Sequence, residues 1–191
     1  MNNDLCERLD TLKNTYYQTN SKNTFFNGKQ KKECAKIVSG TIDMQTLLIN
    51  TCFQLGNTNK IYFQYSIFKT FATDENVNQI LDFLLQLLEN IIDKFGSFEL
   101  HINMNTYTVT AHERYKNMYK LLFSRCEQNN ILFSDKLITM NIYNTPSIIN
   151  NLQAFFAPFI DKNAADKIVL INKKNSDLLL ENLFMNNNIK R

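Results

Sequence analysis

The chain has 191 residues, 44% of them hydrophobic, which is enough to build one domain with a full core. A net charge of +3 gives no licence to infer nucleic-acid binding, which normally shows a concentrated basic face, and no run reaches the roughly 20 uninterrupted apolar residues of a membrane span. Cys6, Cys34, Cys52 and Cys126 lack metal or redox spacing and MNNDLCERLD lacks a signal-peptide core, so free thiols in a reducing, cytoplasmic compartment are expected.

Residues 1–16 pattern as a short amphipathic helix, with Leu5, Leu9, Leu12 and Tyr16 on one side. The stretch QTNSKNTFFNGKQKKECAK is polar and basic and reads as a linker. Its Lys29, Lys31, Lys32 and Lys36 form either a solvated cluster or a patch facing a membrane or partner. Asp43 can cap a helix reaching about Leu55, with Gly56 as its terminating residue. KIYFQYSIF alternates well enough to be the first strand of a sheet. From Thr73 or Asp74 runs a long helix whose buried face includes Ile80, Leu81, Leu84, Leu85, Leu88, Ile91 and Ile92, closed by Gly96.

SFELHINMN reads as the next strand. A helix capped by Thr110 follows, with Tyr115, Met118, Tyr119, Leu122 and Phe123 inward. Ile138–Tyr143 is a strand. Thr145 and Pro146 then open a helix to Ile160, with Ile148, Ile149, Leu152, Phe155, Phe156 and Phe159 at helical spacing and Pro158 as a break. Lys167–Ile171 is the closing strand, and SDLLLENLF a last helix capped by Ser176. Strands alternating with helices predict an α/β fold: a mostly parallel, mixed sheet covered by helices. The expected division is residues 1–40 as N-terminal helix and polar linker, 41–185 as the domain, and 186–191 as a disordered tail.

Positive chemical signatures are few. The strand-to-helix turns carry no GxGxxG, no phosphate-binding GxxxxGK[ST] and no GxSxG elbow. His101 and His112 stand apart from any partner at ligand spacing, so ordinary structural roles are expected for both. No catalytic residue, metal ligand or cofactor is assigned, and the chain is expected not to be an enzyme. An α/β enzyme and a regulatory domain of the sulfate-transporter/anti-sigma-antagonist type, with Ser147 near a strand–helix turn, are the distant alternatives.

From about Asn59 to Phe184 the ordered series of segments resembles the CRAL-TRIO domain of the yeast phosphatidylinositol-transfer protein family. That family includes shorter relatives fused to Rho GTPase-activating proteins. In FSDKLITMNIYNTP, the residues Phe133, Asp135, Lys136, Asn144 and Pro146 stand at the aromatic, acidic, basic, Asn and Pro positions of the family's pattern. In AFFAPFIDKNAADKIVLI, the residues Pro158, Phe159, Asp161 and Lys167 match its following run. Two signature residues differ: Asn103 stands where the family has Asp, and Thr106 near its Gly. The N-terminal lobe is also shorter than lipid-transfer members usually carry.

The resemblance implies an apolar lipid pocket between the sheet and its covering helices, gated by the helix from Pro146 to Ile160. Ile148, Ile149, Leu152, Phe155, Phe156 and Phe159 would line or gate it. Asp135 and Lys167 fall on the positions that contact the headgroup, and a lysine ammonium suits a phosphodiester. The implied ligand is a phospholipid, such as phosphatidylinositol, or another hydrophobic small molecule. A membrane surface or a protein partner is also in view, and nucleic acid is not. A protein-interaction scaffold with a collapsed pocket is the alternative on the same fold.

Overall fold

Alternating apolar residues in three central strands set the architecture. The computed structural model describes residues 3–20, 27–129, 131, 133–146 and 162–189. Five strands, β1 (Cys52–Gln54), β2 (Lys60–Gln64), β3 (Phe98–Asn103), β4 (Leu137–Thr145) and β5 (Ile168–Asn172), form one sheet in sequence order. β1 and β2 pair antiparallel, and β2 through β5 run parallel. The expected α/β class and mostly parallel sheet are therefore what the chain forms.

One face of the sheet is aliphatic. Ile61, Phe98, Met140 and Ile142 join a core that includes Phe68 and Phe71 of α4 (Tyr65–Phe71), Leu81 and Ile91 of α5 (Val77–Phe95), and Tyr115 of α6 (Val109–Gln128). Burying each large apolar side chain contributes about 1.5–3 kcal/mol before entropy is charged. α5 ends on Gly96, whose φ of 76° is the left-handed conformation glycine adopts without strain.

The N-terminal segment belongs to this core. Leu5 and Leu9 of α1 (Asn3–Thr19) and Val38 of α2 (Asn27–Thr41) are buried in it, and Tyr16 Oη donates to Glu33 Oε2 at 2.8 Å between the two helices. The linker expected over residues 18–36 is thus helical from Asn27 on. Its buried residues are the small Cys34 and Ala35 with a single Val38, a stripe too faint to register as amphipathic.

Three further expectations are corrected. The helix capped by Asp43 is α3 (Met44–Thr51) and stops short of Leu55, because Cys52 enters β1; Gly56, at φ 57°, turns the β1–β2 hairpin instead. The aromatic run KIYFQYSIF changes from strand to helix at Tyr65, and Tyr65, Ile67 and Phe68 are all buried. Among the caps, Asp43 accepts from Thr46 N as expected, whereas Thr108 rather than Thr110 caps α6 and Asn172 rather than Ser176 caps the last helix, α9 (Lys173–Asn186).

α9 covers the opposite face of the sheet. Leu180, Leu183 and Phe184 pack on Leu55, Tyr62 and Tyr143, with Ile171 and Ile189 beside them. The tail expected to be disordered is ordered as far as Ile189: α9 extends to Asn186, Ile189 N donates to Phe184 O at 3.0 Å, and the Asn187 carbonyl packs over Gly56.

Beside that cluster the same face is polar and buried. Asn103 Nδ2 donates to Tyr62 Oη (3.1 Å) and Gln64 Oε1 (3.3 Å), while Asn103 Oδ1 accepts from Asn144 Nδ2 at 2.9 Å. His101 Nδ1 lies 2.9 Å from Tyr143 Oη and the two rings stack. Its Nε2 is 3.5 Å from Glu99 Oε2, an ion-pair distance without hydrogen-bond geometry. Burial lowers the His101 pKa to about 4; Glu99 opposes this and Lys60 reinforces it.

A histidine depressed from about 6.5 favours the folded state while neutral. Its contribution is present above pH 6.5 and is lost as pH falls toward about 4. We expect wild-type protein to lose on the order of 2 kcal/mol through this group in that window. His101→Gln should flatten the decline in urea unfolding measured at intervals of pH, with Glu99, Lys60 and Tyr143 left in place. Equal pH slopes for the two proteins would rule the assignment out.

Candidate functional site

The aliphatic face is not sealed at its centre. Phe63, Leu100 and Ile102 point into it from the central strands β2 and β3, yet all three remain partly exposed. Above them Leu84 and Leu87 of α5 and Tyr119, Leu122 and Phe123 of α6 are also only partly buried. In a collapsed α/β core, central strand residues pack to crystal-like density and lose contact with solvent. Here the floor and walls bound a cavity of about 130 Å³, whose lining also includes Phe133 and Met140.

Among the described residues no charged side chain lines the cavity, and its titratable neighbours are held neutral: burial pushes the Cys52 thiol up to about 12 and raises the Tyr65 and Tyr119 phenols. The Tyr119 hydroxyl lies 3.1 Å from that of Tyr107, which in turn lies 3.1 Å from His112 Nδ1. A volume of about 130 Å³ is close to the ~150 Å³ engineered cavity that binds a benzene ring, and below the ~300–1,000 Å³ of drug-sized pockets. As it stands it admits a ring or the end of an acyl chain.

Asp135 and Lys167 do not line the cavity among the described residues; they lie near its lining residue Phe133 through α7 (Phe133–Lys136). Asp135 lies in α7 and Lys167 between α8 (Lys162–Ala165) and β5. α7 packs on α8, and Asn163 Nδ2 reaches Asp135 Oδ1 at 3.5 Å, the limit of a hydrogen bond. The half-buried Lys167 donates from Nζ to the Ser134 carbonyl at 2.6 Å. Asp135 is exposed. Lysine has three donors, so two remain for another acceptor. Ile148, Ile149, Leu152, Phe155, Phe156 and Phe159 lie outside the described residues, as does most of the Pro146–Ile160 helix.

At the carboxyl ends of the strands, Asn103 holds the turn after β3 by accepting from Asn105 N at 3.1 Å. Thr106 takes φ 68° and Asn144 φ 55°, the left-handed region that disfavours a β-branched side chain. A glycine at the Thr106 position would adopt that conformation without strain. Sequence reading assigned Leu84, Leu88, Leu122 and Phe123 to the buried core and missed that they line a cavity. Nothing in a helical stripe distinguishes a wall from a packed core.

Residues 52–191 match the CRAL/TRIO domain family. No curated protein matches the sequence. Seventeen solved chains match in structure. One, the crystal structure of Sfh5, has a TM-score of 0.55 and 13% identity, covering 78% of this chain and 56% of its own. The likeness to Sfh5 concerns the fold, and this chain spans little more than half the length of that one.

The Lys167–Ser134 contact makes a prediction that needs no ligand. Lys167→Met keeps the stem but strands a carbonyl, and should cost about 1–2 kcal/mol in denaturant unfolding. Asp135→Asn, at an exposed site with one long hydrogen bond, should stay within about 0.5 kcal/mol. Equal effects would mean that the lysine does not hold α7.

Proposed function

The chain belongs to the CRAL/TRIO family of lipid-binding and lipid-transfer domains, and from that premise we propose that it holds a hydrophobic ligand, a phospholipid or a smaller apolar molecule, in the trough between β2–β4 and α4–α6. The observation that carries this reading is the unsealed apolar centre of the sheet, where Phe63, Leu100 and Ile102 remain partly exposed beneath α5 and α6. Exposed apolar surface is costly in water, at about 25 cal/mol per Å², and a ligand removes that cost. The trough supports a binding role over a scaffold with a collapsed pocket.

In this reading an acyl chain or ring occupies the cavity. The helix from Pro146 to Ile160 gates it, with Ile148, Ile149, Leu152, Phe155, Phe156 and Phe159 supplying the remaining apolar wall. A whole phospholipid exceeds about 130 Å³, so loading requires the covering layer to open. Asp135 and Lys167 meet the polar end of the ligand: the lysine offers its two remaining protons to a phosphodiester, and the carboxylate accepts from hydroxyls. The protein acts by binding and presentation, without a chemical step. The longest helices among the described residues are too polar to cross a membrane.

Native mass spectrometry of purified protein, with lipid extraction of the same sample, tests this. The wild type should carry lipid, or acquire it from phosphatidylcholine–phosphatidylinositol vesicles. Leu100→Phe, which places a ring inside the trough, should fold with a similar melting temperature and lose at least about nine-tenths of that lipid. Lys167→Ala should shift which headgroups are retained. Lipid-free protein that extracts nothing from vesicles would sink the proposal.

A further inference from the structure

Four tyrosines from α4, α6 and the segment before α6 pack together, and their hydroxyls differ in what they meet. Tyr107 Oη lies 3.1 Å from Tyr119 Oη and 3.1 Å from His112 Nδ1. Tyr65 opens α4, and its ring packs edge-on against Tyr107 at 4.8 Å and against Tyr115 at 6.4 Å between centroids. Tyr65 and Tyr115 are only 4% and 5% exposed, yet among the described residues neither hydroxyl has a hydrogen-bond partner. The Arg114 guanidinium lies over the Tyr115 ring, 5.9 Å from its centroid, and leaves the hydroxyl unbonded.

Both unpaired hydroxyls stand at the trough. Tyr65 and Phe68 of α4 line the cavity with Met118 and Tyr119 of α6, and Tyr115 packs edge-on against Phe68 at 4.8 Å. One hydroxyl thus belongs to a lining residue and the other to the layer directly behind it. Buried polar groups in folded proteins are nearly always hydrogen-bonded, because an unpaired one has given up water for nothing. Phenylalanine at either position would keep the ring packing without that cost. Burial raises the pKa of both phenols, so at neutral pH each keeps its proton and can donate it. Among the described residues no charged side chain lines the cavity, so a carboxylate or phosphate entering it would find no counter-charge.

We propose that Tyr65 and Tyr115 form a polar subsite of the trough, and that the ligand is an apolar molecule carrying one uncharged oxygen, a hydroxyl or a carbonyl. The subsite rests on the trough being a ligand site, and it narrows the ligand to the smaller of the two classes given above. A hydroxyl or carbonyl oxygen has two acceptor positions, one for each phenol. The acyl chain of a phospholipid ends in a methyl group and would leave both phenols unpaired. A volume of about 130 Å³ also suits a ring or short chain with one such oxygen. Sites built to bond a ligand oxygen discriminate sharply, because a ligand lacking it leaves the buried donors without a partner.

Toluene, benzyl alcohol and benzoate, titrated by NMR into the full chain stripped of lipid, test this with one ring and three polar endings. Benzyl alcohol should bind about tenfold or more tighter than benzoate. Tyr65→Phe and Tyr115→Phe, which keep the rings, should each weaken benzyl alcohol about three- to tenfold and leave toluene within about twofold. Without a probe, neither substitution should lower the melting temperature, whereas Tyr107→Phe, which removes a hydroxyl with two partners, should lower it. If toluene binds but both Phe variants hold benzyl alcohol as the wild type does, the subsite is wrong and the trough stands. If none of the three probes binds, the trough reading falls together with the subsite. Melting temperatures lowered in Tyr65→Phe and Tyr115→Phe as far as in Tyr107→Phe would also overturn the subsite, since the hydroxyls would then be bonded in the empty protein.

Discussion

Four parallel strands laid side by side in sequence order impose a division on everything built around them. Crossovers between parallel strands are right-handed in nearly all proteins, so successive crossovers moving in one direction stack their helices on one face. α4, α5 and α6 accordingly share the aliphatic core over Ile61, Phe98 and Ile142, and among the described residues the reverse face receives the one helix α9. A sheet of five strands spaced about 4.8 Å apart is wider than one helix of ~10 Å diameter can cover. The two faces therefore evolve different chemistry: a thick apolar layer able to contain a trough, and a thinner one sealed partly by polar contacts.

The polar side fixes the register on which the apolar side depends. Strand side chains alternate with a period of two, so a one-residue slip of β3 would carry His101 and Asn103 into the trough and expel Leu100 and Ile102. Asn103 opposes that slip through four hydrogen bonds, to Tyr62, Gln64, Asn105 and Asn144. Ser176, fully buried under the start of α9, adds a tie by accepting from Asn144 N at 2.7 Å. Breaking such a network leaves buried polar groups unpaired, which costs more than the net gain of forming it. Asn at position 103 fits this use, since an amide donates and accepts where a carboxylate only accepts.

What the sequence made legible follows from which forces are local. The stripe of α5, the alternation in β3 and β4, the Asp43 cap and the Gly96 stop are written within a few residues, and each appears where expected. Tyr65–Phe71 was misread because a helix buried on several sides loses its polar face and looks like a strand. β1 was missed because three residues, Cys52–Gln54, gain their identity only by pairing with β2. α2 looked like a linker because its inward residues are small. The ordered series from Phe133 to Lys167 pointed to the family and to Asp135 and Lys167, but the bond from Lys167 to the Ser134 carbonyl depends on α7 meeting α8 in space.

The same distinction explains how the fold tolerates a trough at its centre. The large side chains with the least exposure lie around the cavity more than along it: Phe71, Leu81, Ile91, Phe98 and Leu137 are essentially inaccessible and are not among its lining residues. They supply hydrophobic stabilisation that does not require the middle to be filled. Phe63, Leu100, Ile102, Leu84 and Leu122 then remain apolar without being fully packed. If stability were the sole demand, larger residues at these positions would close the gap, because each unfilled cavity costs about 24 cal/mol per Å³. For about 130 Å³ that is roughly 3 kcal/mol, a sizeable part of the 5–15 kcal/mol by which a domain is stable. Among the described residues that gap is lined without charge and ringed by a core whose stability does not depend on its being filled, which is the condition that the proposed binding role requires.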